Sequence, residues 1–239
     1  MRACIIERWV LRLSCLAFKD VKEPLRTHTF LTARFMELVF LRRNYPLRLE
    51  KEGLEPSKAQ EGLMLVAILH DIGKAHEGYQ REHGGFKGHE IYSGLITYRL
   101  AKMLEFDEDW SSVLGLAVAL HHHTMIGRGV SDDFKPTEGC VEEIKWVLSF
   151  LGFEEAAKKL KPSKLTKKEV LSWWMRARKW IVGDLRNLKR IYLLLYPLMI
   201  SDNMAATVRG GRTLLSRELL DAYWPVMLSG DVCNNPWFR

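Results

Sequence analysis

No Cys-x-x-Cys pair occurs in this chain, and its four cysteines, Cys4, Cys15, Cys140 and Cys233, are widely scattered. That spacing argues against a disulfide framework or a thiolate zinc site and fits a reducing cytoplasm. There is no Gly-x-x-x-x-Gly-Lys-Ser/Thr loop, so a nucleoside triphosphate cradle of the P-loop kind is excluded. The longest apolar runs, 62–69 and 191–200, fall well short of the roughly 18 residues a membrane helix needs. Arg2, Glu7, Arg8, Arg12 and Lys19 interrupt the first twenty residues, so no signal peptide is expected. Strand signals are scarce: only Met1–Leu13 could pair as a strand. Repeats and low-complexity tracts are lacking. The expectation is a cytoplasmic chain with no membrane span.

What the chain does have is apolar mass and helical periodicity. It has 239 residues, 47% of them hydrophobic, enough to bury a sizeable core. Apolar spacing predicts helices over Thr29–Arg43, Gly62–His76, His89–Leu104, Asp109–His123, Glu142–Leu151, Lys167–Ile181 and Leu185–Thr207. Asp109 or Ser111 is a plausible cap of the fourth, and Gly152 ends the fifth. Thr166 and Glu169 have the spacing of a capping box. Pro197 should kink the last helix. The fold class is therefore all-α, read as one domain over residues 1–239.

Charge is uneven. The formal net charge is +7, yet residues 158–190 carry twelve Lys/Arg against Glu169 and Asp184. That segment accounts for the basic character and leaves the remainder acidic. Trp173, Trp174 and Trp180 lie among its cations. Aromatics between cations suit single-stranded nucleic acid, which makes Lys167, Lys168, Trp174, Arg176, Arg178 and Lys179 candidate contacts. The competing reading is a solvated amphipathic helix whose tryptophans are core; a docking face for a protein partner is a third.

The most informative stretch is His70-Asp71-Ile72-Gly73-Lys74, at the close of the apolar run Leu63–Leu69. An unpaired carboxylate buried there would cost several kcal/mol, roughly, and a bound cation would remove that cost. Neighbouring residues on a helix point about 100° apart, so His70 and Asp71 can share an ion only from a helix end or bend. Lys74, at i+4 from His70, would share its face. His89 follows a Gly-rich loop, and Ser93-Gly94 one turn later would let another helix approach closely. Of His121, His122 and His123, two could be ligands. Asp202 interrupts an apolar run, and His28 stands near the first helix start. His76 and His83 read as solvated loop residues. Imidazole and carboxylate donors together suit manganese, iron, cobalt, nickel or zinc, with magnesium possible. Two clusters sharing Asp71 would set two ions roughly 3.5–4 Å apart.

The ordered set His28, His70-Asp71, His89, His121-His122 and Asp202 resembles the HD metal-dependent phosphohydrolase superfamily. More narrowly, His70-Asp71-Ile-Gly-Lys-Ala75 with Tyr79-Gln80, then His89-Glu-x-x-Ser93-Gly94, then His121-His122, looks like the stand-alone HD nuclease of type I CRISPR systems, the double-prime half of the Cas-three nuclease–helicase. The resemblance spans about residues 28 to 206. It implies an HD helical bundle with a metal site at helix ends in the core. His28, His70, Asp71 and Asp202 would hold one ion, and Asp71 would bridge to a second held by His89, His121 and His122. Asp71 and Lys74 would be catalytic, Lys74 beside the scissile phosphate. Single-stranded DNA would be the substrate, and a separate CRISPR helicase subunit and the crRNA surveillance complex the partners. Two positions depart from the pattern. His123 stands where Gly usually follows the histidine pair, so the register could be His122-His123, and Ala206 stands where Ser is frequent. The rival functions are an HD phosphohydrolase of nucleotides or cyclic nucleotides, and a non-catalytic metal-containing assembly subunit.

Overall fold

The computed structural model describes residues 15–20, 22–81, 86–122, 129–130 and 132–208. Two short strands, β1 (Leu16–Phe18) and β2 (Glu23–Pro24), pair antiparallel, and ten α-helices follow. These are α1 (Leu25–Val39), α2 (Leu47–Glu50), α3 (Pro56–Leu69), α4 (Glu77–Arg81), α5 (His89–Met103), α6 (Glu108–Leu120), α7 (Glu138–Phe150), α8 (Glu154–Lys159), α9 (Lys167–Gly183) and α10 (Leu185–Val208). The all-α expectation holds; the two strands were not foreseen, and Met1–Leu13 lies outside the described residues.

Helix α3 is the axis of the bundle. Its C-terminal half, Leu63 to Leu69, is buried on every side because α1, α5, α6, α7 and α10 all pack on it. A helix that is apolar all round can only be central. Pro56 at its first turn is compatible with that end, where the missing N–H has no helical partner. The expected single helix Gly62–His76 is shorter at its C-terminus. It stops at Leu69, Asp71 takes φ −108° and ψ 8°, and a buried 3-10 turn, Ile72–Ala75, follows. The first predicted helix also ends earlier: α1 begins after Pro24 and gives way to a 3-10 turn at Leu41–Arg43.

Glycines set the close crossings. A Cβ on Gly73 would sit 2.1 Å from the His89 carbonyl oxygen, so only glycine lets the 3-10 turn rest against the start of α5. The Gly73 N–H donates to Ser93 Oγ at 2.8 Å, locking the two together. A Cβ on Gly94 would lie 2.6 Å from the Gly115 carbonyl, so α5 and α6 cross with their backbones nearly touching. Trp173 covers this crossing and is buried.

Caps explain other boundaries. Asp107, rather than Asp109 or Ser111, caps α6 by accepting from the Trp110 N–H at 2.7 Å. Ser111 instead donates to the Phe106 carbonyl from inside the helix. The Thr166–Glu169 capping box is present at α9. Helix α10 runs through Pro197 as one element. Proline removes the N–H that the Leu193 carbonyl would accept, and the Tyr45 hydroxyl donates to that carbonyl at 3.0 Å instead. By length and composition α10 could cross a membrane, but half of its apolar window is buried inside the fold.

Two expectations are corrected. Cys15 and Cys140 form a disulfide, with Cα atoms 5.4 Å apart, joining the segment before β1 to the first turn of α7. A separation of 125 residues carries no spacing signal, so only the folded chain brings them together. His76 is buried rather than solvated. Its Nδ1 accepts from the Lys135 N–H at 3.1 Å, and its ring packs with Tyr79, Tyr92 and Phe134. His83 lies outside the described residues.

Candidate metal centre

The bundle delivers five histidines and two aspartates to one place from helix ends. His28 comes from the first turn of α1, His70 and Asp71 from the end of α3, and His89 from the first residue of α5. His121 and His122 follow α6, and Asp202 lies in the last two turns of α10. The break of helix at Leu69 is what lets consecutive residues His70 and Asp71 face the same cavity. It also removes the i+4 relation between His70 and Lys74. Lys74 reaches Asp71 across the 3-10 turn, three residues on.

The donors fall into two groups that share Asp71. On one side, His28 Nε2 lies 3.3 Å from Asp71 Oδ2, 3.0 Å from Asp202 Oδ1 and 3.3 Å from His70 Nε2. On the other, His89 Nε2 lies 2.9 Å and His121 Nε2 3.8 Å from Asp71 Oδ1. The His122 ring lies 3.9 Å from that of His121 and 5.3 Å from that of His89, centroid to centroid. Asp71 thus turns one oxygen to each group. His28, His70 and Asp71 have the spacing of a metal site, and so do Asp71, His89, His121 and His122.

Tautomers are set by the backbone. His70 Nδ1 donates to the Ala67 carbonyl at 2.9 Å, His89 Nδ1 to the Phe86 carbonyl at 2.5 Å, and His121 Nδ1 to the Val118 carbonyl at 2.6 Å. Each is the carbonyl three residues back. With the proton on Nδ1, each ring offers an Nε2 lone pair to the cavity, the arrangement metal-bound imidazoles use. His28 Nδ1 faces the Glu23 carboxylate at 3.5 Å, an ion-pair contact that favours a proton there. Asp71 Oδ1, His89 Nε2 and His121 Nε2 are buried and have no hydrogen-bond partner. Several orphaned buried donor atoms converging on one point fit a cation, because such groups are otherwise costly.

The electrostatics divide the same way. Burial disfavours a charged His28, but the hydrogen bonds it donates to the Asp202, Asp71 and Glu23 carboxylates outweigh it and raise its pKa to about 10. Burial likewise opposes charge on His70, and Asp71 and Asp202 lift it to about 9. Burial alone would push Asp71 up, yet Lys74, His70 and His28 hold it well below the usual carboxylate range. Asp202 is held low by His28 and His70 against the same burial. Burial, then His122 and His70, keeps His121 well below the ordinary imidazole range; burial, then His89, pushes His122 down to about 3. Those two rings are therefore neutral at neutral pH and able to ligate. A divalent cation would replace the protons on His28 and His70.

His123, the alternative partner of His122, lies outside the described residues. Lys74 is almost wholly buried: its Nζ sits 2.7 Å from Asp71 Oδ2 and 4.1 Å from the Phe18 ring centroid. Asp202 and His122 are the partly exposed members, so the cavity opens on their side. Lys167, Lys168, Arg176, Arg178 and Lys179 are exposed on α9, apart from this group, and Trp174 is partly buried against the core. Sequence reasoning missed Glu23. It also missed Phe18 under Lys74 and the role of Gln80, which donates to the Lys74 and Leu16 carbonyls. Gln80 belongs to the Tyr79-Gln80 pair of the motif, but its partners leave no sequence signal; Glu23, in β2 five residues before His28, and Phe18 have no motif of their own.

Comparison with known proteins places this geometry. The HD domain family matches residues 25–167. A search of curated proteins finds no match. Among solved structures, the CRISPR-associated Cas3 HD domain protein MJ0384 from Methanocaldococcus jannaschii aligns with a TM-score of 0.52 at 21% identity, covering 77% of this chain and 98% of that one. The Thermus thermophilus Cas3 HD domain, crystallised in the presence of Ni2+, aligns with a TM-score of 0.42 at 19% identity, covering 95% and 91%. The family match covers more than half of the chain and the helix-end histidines and aspartates are assembled as described, so this protein belongs to the HD domain family.

Proposed function

We propose that this HD hydrolase is a metal-dependent nuclease that cleaves phosphodiester bonds of single-stranded DNA with two divalent transition-metal ions. The observation that carries the reading is the division of Asp71, one oxygen toward His28 and His70 and the other toward His89 and His121. His28, His70 and Asp202 would hold one ion with Asp71; His89, His121 and His122 would hold the other. Ions held there would supply an activated water and neutralise charge that develops on phosphorus. The chain's own residues do the rest. Lys74, buried against Asp71, keeps the bridging carboxylate ionised. The three backbone carbonyls keep the imidazole lone pairs aimed. The opening beside Asp202 and His122 admits the phosphodiester. Basic residues Lys167, Lys168, Arg176, Arg178 and Lys179 favour a polyanion on the same molecule.

The motif resemblance extends the reading to CRISPR interference, with a separate helicase subunit and the crRNA surveillance complex as partners. Labelled single-stranded DNA, double-stranded DNA and a nucleotide panel, each incubated with Mn2+ or Ni2+, test it. Cleavage of the single strand that Asp71→Ala abolishes is the expected result. Hydrolysis of nucleotides with the DNA untouched would favour the small-substrate phosphohydrolase instead. Undiminished cleavage by Asp71→Ala would reject the metal mechanism.

A further inference from the structure

Helix α9 exposes cations, but its exposed large apolar side chains are Leu171, Met175 and Val182, which offer no ring to a base. Trp173 is buried at the α5–α6 crossing, and Trp174 and Trp180 pack against the core. Among the described residues the most exposed aromatics lie elsewhere, on α10; Trp146 of α7, at 37%, is less exposed. Tyr192 is 52% exposed and Tyr196, one turn on, 58% exposed. From Tyr196 the i+3 row continues through Met199 to Asp202, both partly exposed. Side chains three and four residues apart on a helix are neighbours. Tyr192, Tyr196, Met199 and Asp202 therefore form one continuous ridge, about 15 Å long at 1.5 Å per residue. It ends at Asp202, a partly exposed member of the metal centre.

The charge beside this ridge is positive. Arg48 lies over the Tyr45 ring at 5.4 Å, and Tyr45 is tied by its hydroxyl to the Leu193 carbonyl, between the two exposed tyrosines. Lys189, three residues before Tyr192, and Arg186 pair with the Glu52 carboxylate, and Arg190 donates to the Glu52 backbone carbonyl. Asp202 is the sole acidic residue of α10. Between Tyr192 and Asp202 the helix itself therefore carries no carboxylate to repel a phosphate backbone.

We propose that Tyr192 and Tyr196 stack successive bases of a single-stranded nucleic acid and so lead its backbone past Asp202 into the centre. The proposal rests on the nuclease reading and names the surface by which that site receives its substrate. Stacking on exposed rings beside cations tolerates any base sequence, and a duplex, whose bases are already stacked, gains nothing from it.

The test compares Tyr192→Ala/Tyr196→Ala with Tyr192→Phe/Tyr196→Phe. Binding of a fluorescein-labelled oligothymidylate is followed by anisotropy in the presence of EDTA, and hydrolysis of bis(p-nitrophenyl) phosphate is followed with Mn2+. The alanine pair should bind the oligonucleotide about tenfold to a hundredfold more weakly, as the loss of base stacking implies. The phenylalanine pair should bind like the parent. Hydrolysis of the small diester, which does not span the ridge, should be unchanged in both. Alanine-pair binding within about twofold of the parent, or an equal loss in the phenylalanine pair, overturns the proposal. The binding comparison decides this whether or not the diester is hydrolysed. A parent protein inactive on the diester would count against the nuclease reading alone.

Discussion

Lys74 Nζ lies 2.7 Å from Asp71 Oδ2, with both side chains almost completely removed from solvent. Removing one partner of a buried ion pair leaves the other uncompensated, at a cost of about 3–5 kcal/mol. A divalent cation beside Asp71 offers a substitute charge. Lys74→Met should therefore lower the urea midpoint strongly in EDTA and much less in excess Mn2+. A loss that is equal in both conditions would show that no cation compensates Asp71.

Gly73 is pinned between the 3-10 turn and the first residue of α5. Its Cβ would meet the His89 carbonyl at 2.1 Å, so Gly73→Ala must displace backbone that carries a donor to the centre. Overpacking of this kind costs about 1–3 kcal/mol. Thermal unfolding should show that loss, and DNA cleavage should fall with it. A variant as stable and active as the parent would mean the contact is looser than described.

Glu169 is tied to the Thr166 backbone N–H and hydroxyl and to Arg99, which lower its pKa from 4.5 to about 2. A carboxyl depressed on folding contributes stability above its unfolded pKa, and loses it as pH falls through the folded value. The parent should be more stable than Glu169→Gln at pH 6, and the gap should close between about pH 4.5 and 2. Urea midpoints across that range would measure it. A gap independent of pH would assign the stabilisation to something other than the ionised carboxylate.

The Cys15–Cys140 bond joins the segment before β1 to α7. Cross-links of long loops typically stabilise by about 2–4 kcal/mol. Reduction, or Cys15→Ser/Cys140→Ser, should lower the melting temperature, with the parent under dithiothreitol matching the double variant. Identical melting with and without reductant would contradict the pairing.

Sequence pattern revealed the donors but not what aims them. His70-Asp71, His89, His121-His122 and Asp202 stand out because polar groups interrupt apolar periodicity. The Ala67, Phe86 and Val118 carbonyls that fix three tautomers are backbone atoms and leave no trace in residue type. Helix identities were legible from spacing, whereas the stop at Leu69 was not. Apolar residues resume at Ile72 after His70-Asp71, so spacing alone continues the helix, whereas Gly73 docks on α5 only in the folded chain. The reading of the α9 tryptophans as core holds for Trp173, but where it packs was not legible: its partners, Gly94 and Gly115, are nearly 80 and 60 residues away in sequence. Tyr192 and Tyr196 lie in the apolar stretch 191–200, where the sequence does not mark them as exposed; the packing of α10 on α1, α3 and α6 turns them outward.

The central claim is that Asp71 bridges two cations, and anomalous diffraction from crystals soaked in Mn2+ addresses it directly. Two peaks are expected about 3.5–4 Å apart. One should contact Asp71 Oδ2 with His28 and His70, the other Asp71 Oδ1 with His89 and His121, and both should vanish in Asp71→Ala. A single peak, or two peaks that persist without the Asp71 carboxylate, would contradict it.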